Sequence, residues 1–109
     1  MLRVYTLLIH ILRKVARLIE EIRKHDPDLA RQLRRAFSSS ILNVAEGTHA
    51  DGGNRRLRFR TALGSLEESI AALEIATVLG MVEIDPETQD ELQHARAMLI
   101  KLSRPRRAA

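Results

Sequence analysis

Cysteine and tryptophan are both missing from this chain, and its aromatic residues are Tyr5, Phe37 and Phe59 alone. Without cysteine there is no disulfide and no thiolate chemistry, a composition that suits a cytoplasmic protein. So few aromatics argue against a sheet protein, whose strands draw on aromatic and β-branched residues. Long apolar runs are missing too. The run "VYTLLIHIL" falls far short of a membrane span and is ended by Arg13 and Lys14, so no membrane partner is expected. The N-terminus carries an early arginine and no small-residue cleavage site, so no signal peptide is expected either.

What is present is a chain of 109 residues, 45% hydrophobic and 29% charged. That is enough for one domain with one modest core. The domain is expected at residues 1–103, followed by a basic flexible tail at 104–109. Net charge is +4, but it is unevenly spread. Residues 1–60 hold thirteen Lys or Arg against six Asp or Glu, whereas residues 61–100 hold Arg96 against eight acids. The end of the chain turns basic again. Such a split predicts a basic face and an acidic face, one attracting polyanions and the two attracting each other between subunits.

Periodicity and punctuation predict four helices. The first spans Leu2 to Lys24, with Val4, Leu8, Ile11, Val15, Leu18 and Ile22 on one stripe. "HDPD" breaks it, with Asp26 as cap and Pro27 as first residue of a second helix running to His49. "ADGGN" reads as a loop, and a third helix runs from Arg55 to Leu79, where Gly80 stops it. "EIDPET" repeats the earlier punctuation, with Asp85 and Pro86 opening a fourth helix. Short connections between long helices predict an antiparallel up-down four-helix bundle, an all-α fold.

The stretch "RRAFSSSILNVAEG" poses the question of catalysis. On a helix its three serines point around the circumference rather than into one pocket, and no histidine lies within helical reach. They read instead as small residues at a close helix crossing, with hydroxyls bonded back to the preceding turn. Asn43 and Glu46 share one side of the helix and read as a polar pair that sets register in a helical interface. Beyond Ser40 the apolar residues cover most of the circumference, so this helix is buried on more than one side. The third helix behaves alike. Phe59, Ala62, Leu63, Leu66, Ile70, Leu73 and Thr77 make its bundle-facing stripe. Opposite them Leu57, Gly64, Ala71 and Val78 recur every seven residues, joined by Ile75 and Leu79. The expected oligomer interface is Ile41, Leu42, Ala45, Leu57, Gly64, Ala71, Ile75 and Val78.

The segments "QLRRAFSSSILNVAEG" and "RFRTALGSLEESIAALEIATVLG" resemble the bacterial four helix bundle proteins, over about Leu29 to Gly80. That family includes the 23S rRNA intervening-sequence (S23-like) proteins and the accessory variability determinant of diversity-generating retroelements. The resemblance is carried by Arg34, Arg35 and Ala36, by Asn43 to Gly47, by Arg58 and Phe59, and by Ala62 to Glu68. It implies a homopentamer with a basic outer surface, and as partners RNA or DNA and a reverse transcriptase or other protein. Many relatives have proline after the serine-isoleucine pair; "SSSILN" here implies a straighter helix.

The candidate nucleic-acid-binding residues are Arg13, Lys14 and Arg17; Arg31, Arg34 and Arg35; and Arg55, Arg56, Arg58 and Arg60. Arginine stays charged and contacts phosphate bidentately, so such a set suits backbone binding. There is no aromatic platform for stacking bases and no zinc-finger spacing, so binding should be weakly sequence-specific and strongly salt-dependent. No cofactor or metal is expected. His10, His25, His49 and His94 are dispersed, and Gly52–Gly53 lacks the Lys-Ser/Thr of a phosphate loop. Two readings remain: a non-enzymatic oligomeric module that binds nucleic acid or serves a nucleoprotein, and a purely structural assembly or interaction scaffold.

Overall fold

Two Asp-Pro pairs start two of the helices. In the computed structural model, which describes residues 2–105, four helices are seen and no strand among those residues. They are α1 (Arg3–Arg23), α2 (Pro27–Thr48), α3 (Gly52–Val78) and α4 (Pro86–Leu102). Asp26 accepts a hydrogen bond from the Leu29 amide at 3.0 Å, and Asp85 accepts one from the Thr88 amide at 3.1 Å. Each satisfies an amide that the first helical turn leaves unpaired, while the following proline supplies a φ already suited to a helix. Gly80 closes α3 in the left-handed region at φ 77°. Its amide bonds to the Thr77 carbonyl at 3.0 Å and the Met81 amide to that of Ala76 at 2.9 Å, a glycine-terminated helix end.

The helices pack in a closed ring, α1 on α2, α2 on α3, α3 on α4 and α4 on α1, within an envelope of 50 × 24 × 21 Å. Cross-helix bonds run Ser39 to Ser65 and Glu46 to Arg58, so α2 and α3 are antiparallel. Phe37 and Phe59 are the largest fully buried side chains. The α2–α3 crossing is built from small residues: Ala36, Ser40, Ala62, Ser69, Ala72 and Ala76 are all buried. Ser40 donates to the Ala62 carbonyl of the facing helix at 2.9 Å, and the Ser39 and Ser65 hydroxyls meet at 3.0 Å. Ser69 donates back to the Ser65 carbonyl of its own helix at 2.9 Å, whereas Ser39 and Ser40 bond across the crossing. That arrangement satisfies the buried Ser40 hydroxyl and fixes the register of the pair.

Several expectations shift. α3 begins at Gly52, so the glycine pair opens the helix and the loop shrinks to the residues around Ala50 and Asp51. On α1 the buried stripe passes through Ile19, with Leu18 at its margin. On α3 Thr77 is exposed, and Ser69, Ala72 and Ala76 take the inward positions. Ile41, expected at the oligomer interface, is only 8% exposed and belongs to the protomer's own core. α2 lies between α1 and α3, so its buried face is wide enough to take Ile41 in. Of the expected tail, residues 106–109 lie outside the described residues; Arg104 and Pro105 follow the end of α4.

One charged cluster ties α1 to α4. Glu91 receives Lys14 Nζ at 2.6 Å on one oxygen and meets His10 Nε2 at 2.6 Å on the other, while Glu87 lies 3.6 Å from Lys14. The hydrogen bond from Lys14 holds the Glu91 carboxyl below its ordinary value of 4.5, and the bond to Glu91 holds Lys14 above 10.5. Asp85 is likewise held below 3.8, first by the Thr88 hydroxyl and then by the Thr88 amide. Carboxyls with depressed values contribute stability above their unfolded values and lose it as pH falls through the folded ones. The melting temperature is therefore expected to drop as pH is lowered from about 6 to about 3. In Glu91→Gln the drop should be shallower and the curve should converge with wild type at low pH. Parallel curves across the whole range would show that this cluster contributes nothing.

Candidate functional site

Two surfaces stand out, and both lie on α2 and α3. The first is apolar. Leu57, Ile75, Val78 and Leu79 of α3 and its end are 57%, 49%, 79% and 64% exposed, and Leu42 of α2 is 62% exposed. Gly64 and Ala71 are exposed on the same side of α3, while Ala45 is half-buried. A Cβ built on Gly64 meets nothing within 4 Å, so no neighbour within the protomer requires a glycine there. Scattered apolar residues are ordinary on a surface, but here they recur at helical spacing along about six turns of one helix, opposite the face that fills the core. α3 thus has an apolar stripe on each side.

The second surface is the groove between α2 and α3, a broad open concavity. Arg31, Arg34, Arg35, Leu42 and Asn43 line it from α2, and Arg58 from α3. Its polar floor is a register lock. Arg58 pairs with Glu46 at 2.9 Å and lies 3.4 Å from the Asn43 side-chain oxygen. The Asn43 amide in turn donates to the Ser39 carbonyl at 2.9 Å. Asn43 and Glu46 thus hold the same arginine across the helix pair. Arg34 and Arg35 stand exposed on the rim and make no ion pair among the described residues.

The remaining sequence-predicted cations divide by partner. Lys14 is engaged by Glu91 and Glu87, and Arg31 by Asp28 at 3.2 Å. Arg55 is held inward: its guanidinium donates to the Gly47 carbonyl at 3.0 Å and sits 4.8 Å over the Phe59 ring. Arg13, Arg17, Arg56 and Arg60 are exposed and make no ion pair among the described residues. Gly47 explains its own identity, because a Cβ there would stand 2.8 Å from the Phe59 ring. The motif pieces Asn43 to Gly47 and Arg58–Phe59, on either side of the α2–α3 turn, therefore form one knot: the glycine admits the ring, and the arginines lock both sides of it.

Charge is arranged differently from the expected two faces. The antiparallel bundle gathers the α2–α3 turn, the start of α3 and the end of α4 at one end. Arg55, Arg56, Lys101 and Arg104 line an open cavity of about 680 Å³ there, with Asp51 the one carboxylate on its wall among the described residues. The other end carries the turns with Asp26, Asp28, Glu83 and Asp85. The separation is largely end to end. Lys101 and Arg104 lie outside the sequence-predicted site. The signal that finds them is the pairing of helix directions, which joins the end of α4 to the start of α3; a charge count along the chain shows only that its last residues turn basic.

Among the described residues no helix is long and apolar enough to cross a membrane, and no three His, Cys, Asp or Glu side chains gather as a metal group. The sequence pattern of the 23S rRNA-intervening sequence protein family matches residues 1–101. A solved structure from Bacteroides thetaiotaomicron, a protein with unknown function from the S23 ribosomal protein family, aligns with a TM-score of 0.81 at 14% identity. The alignment covers 92% of this chain and 97% of that one, and at such low identity it speaks for the fold. Among curated proteins none matches the chain.

Proposed function

This chain belongs to the 23S rRNA-intervening sequence protein family, and from that premise we propose that it is a non-enzymatic module that assembles with copies of itself and holds RNA or DNA by the phosphate backbone. The observation that carries the reading is the set of exposed arginines that make no ion pair among the described residues: Arg34 and Arg35 on the rim of the α2–α3 groove, and Arg56 and Arg60 near the start of α3. Guanidinium groups kept free of acids match the bidentate geometry of phosphate oxygens. Without an aromatic platform, such groups position a strand but do not read its bases. The exposed α3 stripe supports assembly, with five copies as the count the resemblance implies. Repetition around a ring presents several basic grooves at once, and multivalency then raises weak binding to useful avidity. The proposed location is the cytoplasm, and the proposed setting is a nucleoprotein in which a reverse transcriptase or another protein is the working partner.

A purely structural scaffold is the second reading. It draws on Glu68 and Glu74 of α3, which are exposed and unpaired among the described residues and which a neighbour's arginines would meet. One experiment separates the two. Arg34→Gln, Arg35→Gln, Arg56→Gln and Arg60→Gln are combined, because these side chains make no hydrogen bond or ion pair among the described residues. Arg55 and Arg58 are left in place, since they lock the α2–α3 knot. Binding of a fluorescent RNA and of an unrelated DNA is then measured from about 50 to 200 mM salt, the range over which phosphate binding falls most steeply. The expected result is weaker binding to both, with the log–log salt slope reduced by about 0.7–0.9 for each phosphate that the variant no longer neutralises. Unchanged affinity and slope would remove nucleic acid from the account, and dissociation of the assembly would favour the scaffold.

A further inference from the structure

The cavity at the basic end of the bundle differs from the groove in shape and in origin. Its cations come from two elements more than forty residues apart in sequence: Arg55 and Arg56 from the start of α3, and Lys101 and Arg104 from the end of α4. Arg56, Lys101 and Arg104 are exposed and make no ion pair among the described residues, so no described side chain neutralises them. Arg55 adds a fixed charge to the wall, its guanidinium held inward by the Gly47 carbonyl and the Phe59 ring. Two of the four cations stand near the start of α3, where positive charge opposes the helix dipole. Gly52 and Gly53 add no side chains to the wall, which leaves the cavity open.

Four cations line one open cavity, with Asp51 the only carboxylate on its wall among the described residues, so positive charge gathers there. A groove lined along its length suits phosphodiesters, each with one charge. A pocket of this kind suits one group with more. A phosphate monoester is close to doubly charged at neutral pH and offers three free oxygens. We propose that this cavity is a site for a terminal phosphate, the end of a nucleic-acid strand whose backbone lies elsewhere on the assembly. The inference rests on the nucleic-acid reading above and adds a chemical identity to one part of the surface: the protein recognises a strand end as well as a backbone.

The test uses the whole protein and four probes. Three are the same short RNA carrying a 5′-phosphate, a 3′-phosphate or hydroxyl groups at both ends; the fourth is inorganic pyrophosphate. The variant is Lys101→Gln combined with Arg104→Gln, two exposed side chains at a helix end whose loss leaves the core untouched. The expected result is about tenfold tighter binding of one phosphorylated strand over the hydroxyl strand, the size of one added charge-assisted hydrogen bond. The variant should lose that preference and keep the hydroxyl strand's affinity, and pyrophosphate should compete with the preferred strand alone. Whichever end is preferred identifies the source of the phosphate. Equal affinities for all three strands, or a preference that survives in the variant, would overturn the site. Pyrophosphate binding without any strand binding would overturn the strand-end assignment and the nucleic-acid reading together, leaving a small-anion cavity. Strand binding without end preference would sink the cavity alone.

Discussion

Phe59→Ala is expected to remove most of the protein's stability. The ring is fully buried, is capped by the Arg55 guanidinium and fills the space that Gly47 leaves. Truncating a buried phenylalanine costs about 3–5 kcal/mol, transfer and cavity together. A domain of this size has about 5–10 kcal/mol in all. Urea denaturation should show a midpoint lowered by about half or more, or a chain already unfolded at body temperature. The partner substitution tests the same fit from the other side. Gly47→Ala gains about 1 kcal/mol in helix propensity, yet its Cβ would stand 2.8 Å from a ring that is fully buried. Overpacking of this kind costs about 1–3 kcal/mol, so a net loss is expected. Phe59→Leu should restore part of it in the double variant, because residues that touch are not additive. A stabilised Gly47→Ala would show that the ring moves freely and that the knot is not tight.

The second large effect concerns the exposed stripe of α3. Gly64→Leu has nothing to strike within the protomer, where the position is open. In an isolated chain the substitution should therefore fold normally and gain slightly from helix propensity. In an assembly that packs a neighbour's backbone against Gly64, the leucine forces the helices apart. Ile75→Asp with Val78→Asp acts on the same face by a different route, placing carboxylates where apolar side chains would be covered. Each apolar side chain taken out of the interface removes about 1.5–3 kcal/mol, and a buried unpaired charge costs several more. Both variants should run as monomers in size-exclusion chromatography at micromolar concentration while keeping wild-type helical content by circular dichroism. Intact assembly in both would move the interface elsewhere.

What is legible in the sequence is local. Asp26–Pro27 and Asp85–Pro86 announce their helices because a cap and a preset φ act within a few residues. Gly80 announces its stop for the same reason. The expected core stripe of α1 alternates spacings of four and three, which average about 3.5 residues, whereas a straight helix turns every 3.6 or so. The buried line therefore drifts by about 20° per heptad and reaches Ile19 where the pattern points to Leu18. On α3 the inward positions at Ser69, Ala72 and Ala76 escape the pattern because small residues carry little hydrophobic signal, although closeness of the crossing is what makes them small. Exposure of the apolar seam is legible at Leu42, Leu57, Gly64, Ala71, Ile75 and Val78. It fails at Ile41, because burial of α2 between two neighbours cannot be read from α2 alone. Charge is least legible. A count along the chain separates Arg56 from Lys101, whereas helix direction brings them to one cavity.

Lys14 and Arg58 show how a cation can be correct in type and occupied in fact. Both are sequence candidates for phosphate, and both already meet carboxylates, Glu91 at 2.6 Å and Glu46 at 2.9 Å. Their work in the protomer is to hold α1 to α4 and α2 to α3. The polyanion surface therefore falls to the arginines that hold nothing, which is why the proposed binding variant spares Arg58.

Multivalent binding needs more than one groove, so the avidity proposed for the basic surface depends on further copies of the chain covering the α3 stripe. Multi-angle light scattering of the wild-type protein at micromolar concentration tests this most directly. The account predicts a mass near five times the 12.3 kDa of one chain, and a mass of 12.3 kDa would contradict it.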